Sequence, residues 1–199
     1  MSGRIVILNG APRSGKTSIA RAMQDTLQGN WINLGVDAQN RSLPQALLPG
    51  IGLRPGGERP DLEPMVLRLY LALYGSIAAH ARQGFDVVAD LGHHDFYSRR
   101  LDILPQCARL LAEFDVLFVG ISCPIEVIME RRNADPQGGF YAGGTEVPEP
   151  VRRWQEAVHV PGVYDLELDT GKMSPADCVA AIASALNGPR TAFARLAAS

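Results

Sequence analysis

The sequence predicts an α/β protein, a three-layer α/β/α arrangement around a parallel five-stranded sheet, and three observations carry that expectation. Short apolar runs rich in β-branched residues recur along the 199 residues. Helical periodicities separate them. Most of the runs lack apolar/polar alternation, the pattern of strands covered on both faces by helices. With hydrophobic residues at 46%, the chain can bury a full core without disulfides or metal staples, so residues 1–187 read as one domain.

The expected strands span 5–8, 31–36, 87–89, 116–121 and 163–168. The clearest helix runs over 62–82, where Leu62, Met65, Val66, Leu69, Tyr70, Leu73 and Ile77 recur at three- and four-residue spacing, with Asp61 placed to cap it. A last helix opens with Ser174 as N-cap and Pro175 at its first position and stops near Gly188-Pro189. Residues 188–199 then read as a loose C-terminal tail. Two Gly/Pro-rich stretches, 49–57 and 135–144, read as loops, and the second belongs to a lid at about 131–150.

The 19 basic residues are scattered and slightly outnumbered by 21 acidic ones, which argues against a nucleic-acid surface. No long uncharged apolar segment or cleavable leader pattern occurs, so no membrane partner and a reducing cytoplasm are the expectation. Cys107, Cys123 and Cys178 are odd in number and far apart, as buried free thiols would be. Homo-oligomerisation is left open.

The chemistry concentrates at Gly10-Ala11-Pro12-Arg13-Ser14-Gly15-Lys16-Thr17, with Ser18 following. This is a complete P-loop set between an apolar strand and a helix. Phosphates need many donors converging without side chains in the way. The glycines permit that backbone, Lys16 reaches the β- and γ-phosphates, the Thr17 hydroxyl ligates Mg²⁺, and Arg13 adds a phosphate contact. ATP and Mg²⁺ are therefore the expected cofactors. Asp90 ends the third strand, where open α/β sheets gather ligands. It is a candidate for Mg²⁺ or substrate, the plainer reading being a cap on the next turn. Asp37 holds the same address after the second strand, placed to accept the proton of an acceptor hydroxyl.

Arg131 and Arg132 close a helix that opens into the second Gly-rich loop. They could shut over the nucleotide, with Arg131 catalytic and Arg132 nucleotide-binding, or form a solvated charge pair at a helix end. His93-His94-Asp95 lacks a third spaced metal ligand, so His93 reads as a substrate contact or loop polarity. Arg54 and Arg59 hint at an anionic or highly polar acceptor.

In order along the chain stand the P-loop, Gly35-Val36-Asp37, the Asp90 strand end, Val119-Gly120-Ile121-Ser122-Cys123 and Tyr164-Asp165-Leu166-Glu167-Leu168-Asp169-Thr170. With these motifs the sequence resembles the chloramphenicol phosphotransferase family over roughly residues 4–187. The resemblance implies a P-loop kinase fold with a lid and an ATP-dependent kinase acting on an alcohol hydroxyl. The base role falls on Asp37, a lid-helix arginine on Arg131, and the nucleotide site on Lys16 and Thr17. A kinase of another metabolite or sugar nucleotide, toxin-like kinases included, would carry the same catalytic parts. A nucleotide-dependent switch would have no use for an acid placed like Asp37.

Overall fold

The computed structural model describes residues 2–135 and 144–199. Five parallel strands, β1 (Ile5–Asn9), β2 (Trp31–Asn33), β3 (Asp86–Leu91), β4 (Val116–Ser122) and β5 (Leu166–Asp169), form one sheet in the order β2-β3-β1-β4-β5. Alternation decides the layers. Ile5, Ile7, Val87, Ala89 and Phe118 face one core with α3 (Glu63–Arg82), α4 (Ile103–Leu110) and α8 (Ala192–Ala197). Val6, Leu8, Val88, Leu117 and Val119 face the other, with α1 (Lys16–Thr26) and α7 (Pro175–Ala185). Both faces being covered explains why the strands read as unbroken apolar runs. The remaining helices, α2 (Val36–Arg41), α5 (Ile125–Ala134) and α6 (Glu149–Ala157), gather at the C-terminal edge of the sheet.

Several local expectations hold in detail. Ser174 caps α7 in a reciprocal capping box with Asp177. All three cysteines are free and buried. No helix among the described residues is long and apolar enough to cross a membrane.

Others are corrected by tertiary contacts. Strand β2 ends at Asn33, and the chain turns at Gly35 into α2, so Asp37 stands in the first turn of a helix. Asp61 does not cap α3, because the Arg59 guanidinium takes both its oxygens at 3.0 and 2.8 Å. The helix opens instead at Glu63, whose buried carboxylate accepts the backbone N–H of Ser98 at 2.7 Å and the Ser98 hydroxyl. The expected loop 49–57 contains a 3-10 turn, Gly50–Gly52, pinned by burial of Ile51 and Leu53 against α3.

The C-terminal residues read as a loose tail include α8, which buries Ala192, Phe193 and Leu196. Phe193 stacks on Tyr74 and meets Phe118 edge-on, with ring centroids 6.4 and 5.1 Å apart. Burying such a ring stabilises by about 1.5–3 kcal/mol, enough to hold a short helix that propensity alone would not. The Gly-rich centre of the expected lid, 136–143, lies outside the described residues.

Candidate active site

The P-loop follows β1 directly and bends back over the N-terminus of α1. Gly15 makes the bend at φ 92°, where a Cβ would be strained, and Arg13 joins it at φ 66°. Above it opens a cavity of about 680 Å³. Gly10, Pro12, Arg13, Gly15, Lys16, Thr17 and Ser18 line its floor. Parallel strands bring in the rest: Asp90, Leu91 and Gly92 arrive from β3, which runs beside β1 with Leu8 opposite Asp90. Val36 and Asp37 come from α2, Ile51 and Gly52 from the 3-10 turn, Arg131 from α5, Trp154 from α6, and Thr170 from the end of β5.

Lys16 donates to the carbonyl oxygens of Gly10 and Ala11 at 2.8 and 2.7 Å. Desolvation lowers its pKa to about 8, against the pull of the Asp90 and Asp37 carboxylates. Among the described residues it has no ion-pair partner within 4.0 Å. A desolvated cation held only by carbonyls fits an anionic ligand, as does the buried Ser14 Oγ, which lacks a hydrogen-bond partner. The Thr17 hydroxyl donates to Asp90 Oδ2 at 2.6 Å. Burial pushes the Asp90 carboxyl above its usual range, opposed by the Thr17 hydrogen bond and Lys16 and reinforced by Asp37. These two oxygen ligands side by side at the foot of the phosphate cradle suit a Mg²⁺ ion.

Gly35 has a steric reason of its own. A Cβ there would stand 1.5 Å from Asp90 Oδ1, so the glycine of Gly-Val-Asp is what lets α2 approach the acid. The motif therefore places Asp37 and Asp90 in one cleft.

Arg131 is already engaged. Its Nη2 donates to the Thr170 carbonyl at 2.8 Å, and Nη1 lies 3.2 Å from both the Arg13 carbonyl and Thr170 Oγ1 and 3.4 Å from Cys123 Sγ. It is a fixed part of the cleft wall in this structure, neither a solvated helix-end charge nor an arm held above the cleft. Arg13 pairs with Asp135 through Nη1 at 2.9 Å and with the Asp135 carbonyl at 2.6 Å.

Five expected residues stand off the main cavity. Ala11 and Arg132 border a small adjoining hollow with Val151 and Trp154, and Ala11 and Ser14 are buried in the loop. Arg54 is exposed and Arg59 pairs with Asp61, and neither lines the cavity. His93 is buried behind the wall, its Nε2 2.8 Å from the Tyr74 hydroxyl, and burial lowers its pKa to about 3. Its backbone N–H donates to Oδ1 of the buried Asn9 at 2.6 Å. The apolar wall of Val36, Ile51 and Leu91 and the structural part of Thr170 went unread, because nothing local marks which residues of a loop will face a cleft. Trp154 lies in the wall against His94, with ring centroids 5.0 Å apart.

A five-stranded parallel sheet with a phosphate cradle at its edge defines a P-loop phosphotransferase of the kinase architecture. More particularly, the chain belongs to the chloramphenicol phosphotransferase-like family, whose model matches residues 3–187. A Mycobacterium tuberculosis (strain H37Rv) protein named "Putative O-phosphotransferase Rv2636" is 29% identical over 184 residues, covering 84% of this chain and 75% of that one. Solved structures share the fold. The M. tuberculosis APS kinase CysC, in complex with AMPPNP and APS, superposes with a TM-score of 0.60 at 19% identity over 94% of this chain and 99% of its own. Shikimate kinase from Acinetobacter baumannii, in complex with shikimate, gives 0.57 at 13% over 92% of each. The Deinococcus radiodurans tunicamycin resistance protein gives 0.61 at 17% over 93% and 96%.

Proposed function

We propose that this phosphotransferase moves the γ-phosphoryl group of ATP to an alcohol hydroxyl of a small, uncharged molecule, with chloramphenicol the first acceptor to test. One observation carries the reading. Asp37 lines the same cavity as Lys16 and the Thr17–Asp90 pair, close enough for its charge to act on both Lys16 and Asp90.

The acceptor oxygen attacks the γ-phosphorus while Asp37 accepts its proton. The bond from γ-phosphorus to the bridging oxygen breaks, and ADP leaves. Lys16 offsets charge on the transferring oxygens, and the P-loop N–H groups hold the rest of the phosphate chain. Thr17 Oγ1 and the Asp90 carboxylate are the groups that would hold Mg²⁺, which when bound supplies charge neutralisation between β- and γ-phosphates.

The acceptor side favours a neutral body. Every cation in the lining, Arg13, Lys16, Arg21 and Arg131, comes from the P-loop, α1 or α5, whereas α2, the 3-10 turn, β3 and α6 contribute Val36, Ile51, Leu91 and Trp154 together with the carboxylates of Asp37 and Asp90. A cytoplasmic location and a small-molecule partner go with this reading.

The test is incubation with Mg-ATP and chloramphenicol, or a panel of other alcohols, read by mass spectrometry for a gained phosphoryl group. Asp37→Asn is expected to bind ATP but transfer roughly 100-fold more slowly or worse. Product from another alcohol alone keeps the mechanism and changes the acceptor. Nucleotide binding without transfer to any alcohol, with Asp37→Asn indistinguishable from the parent, would favour a switch protein instead.

A further inference from the structure

An anion cradle works only if its peptide N–H groups point inward, which in a planar trans peptide requires the carbonyl on the same plane to point out. Something must hold those carbonyls. At Ser14 that partner comes from a distant strand end: the Thr170 hydroxyl, buried at 8% exposure, lies 2.7 Å from the Ser14 carbonyl oxygen. A hydroxyl has one proton to give. Spent on Ser14 at 2.7 Å rather than on the Ser122 carbonyl at 3.3 Å, it leaves the oxygen lone pairs facing Arg131 Nη1 at 3.2 Å. The same nitrogen reaches the Arg13 carbonyl, one residue earlier in the loop. Thr170 itself is fixed by its backbone, its N–H donating to the Ser122 carbonyl at 3.0 Å and its carbonyl accepting from Arg131 Nη2.

We infer that Thr170 is a positioning residue for the phosphate cradle. Its hydroxyl, backed by Arg131, holds the Ser14 carbonyl outward so that the Gly15 N–H faces the bound phosphates. Its action on the phosphates runs through the loop backbone. The inference rests on the nucleotide-binding part of the proposed function. Its distinctive consequence is selectivity along the phosphate chain, because P-loop N–H groups wrap the β-phosphate, which AMP lacks.

The experiment compares Thr170→Val, which keeps the shape and removes the hydroxyl, with Thr170→Ser, which keeps the hydroxyl. Affinities for Mg-ATP and for AMP are measured by titration calorimetry, alongside thermal melting. Thr170→Val is expected to bind Mg-ATP about tenfold more weakly, the worth of one or two hydrogen bonds, with AMP binding within twofold of the parent. Thr170→Ser is expected to restore ATP binding. Should Thr170→Val not fold, Thr170→Ala gives the same comparison. Equal loss for ATP and AMP would show a general packing role and overturn the inference, as would unchanged ATP binding in Thr170→Val or no rescue by serine. A parent protein that binds no Mg-ATP would bring down the nucleotide reading and this inference together, so the two failures are distinguishable.

Discussion

The two ends of the cleft are built on different principles. At the phosphate end, polar groups are held before any ligand arrives: Lys16 by two carbonyls, Thr17 by Asp90, Arg131 by Thr170. At the other end, where the proposed acceptor would rest, the lining is composite, with Val36, Ile51, Leu91 and Trp154 drawn from four separate segments. A triphosphate is the same in every kinase of this architecture, so its site can be encoded once in a short motif, whereas the acceptor wall is free to vary with loop and helix placement. The contrast implies that substitutions at one end should leave ligand binding at the other nearly untouched.

The largest effect that would break this contrast is sought at Lys16. Lys16→Ala removes the cation between the loop carbonyls and the phosphates, and is expected to lower Mg-ATP affinity or turnover by about 100-fold or more while the melting transition stays cooperative. Normal turnover in the folded variant would end the P-loop assignment. A smaller and opposite signature belongs to Trp154→Phe. Because the ring borders the acceptor wall, acceptor KM should change by about 3- to 10-fold with ATP affinity within twofold, in keeping with the loss of part of an aromatic contact. A matching loss of ATP affinity would mean that the two ends are coupled.

The smallest effect is in protons. Lys16 gives up its proton near pH 8 in the folded chain, whereas an exposed lysine keeps it to about 10.5. Between these values the unfolded chain binds more protons, so this group makes the nucleotide-free protein more stable as pH rises through the window. Phosphate favours the charged form. Nucleotide binding at pH 9 should therefore take up a fraction of a proton, measurable by calorimetry in buffers of different ionisation enthalpy. No proton uptake at that pH would remove the desolvated state assigned to Lys16.

The nucleotide end was legible because its requirements are local. A strand, a left-handed glycine, a lysine and a threonine at fixed spacing specify the loop and its ligand together. Asp37 was legible for the same reason, one residue past the Gly35-Val36 pair, even though it stands on a helix and not at a strand end. Arg54 and His93 show where that reasoning stops. Both lie in polar loop sequence at the right edge of the sheet, yet one is exposed outside the cleft lining and the other is sealed behind Tyr74. The C-terminal residues fail in the opposite sense, a weak helical signal made firm by the stacking of Phe193 on a core already formed.

By itself the sequence determined the parallel α/β layers, the phosphate cradle and the acid beside it, because apolar periodicity and backbone permissiveness act over a few neighbouring residues. Only the tertiary structure decided that Thr170 and Arg131 reach across to contact a loop more than a hundred residues away, that α8 docks, and that Val36, Ile51, Leu91 and Trp154 line one cavity. Those outcomes depend on which distant surfaces meet once both faces of the sheet are covered, and no local pattern of side chains encodes that.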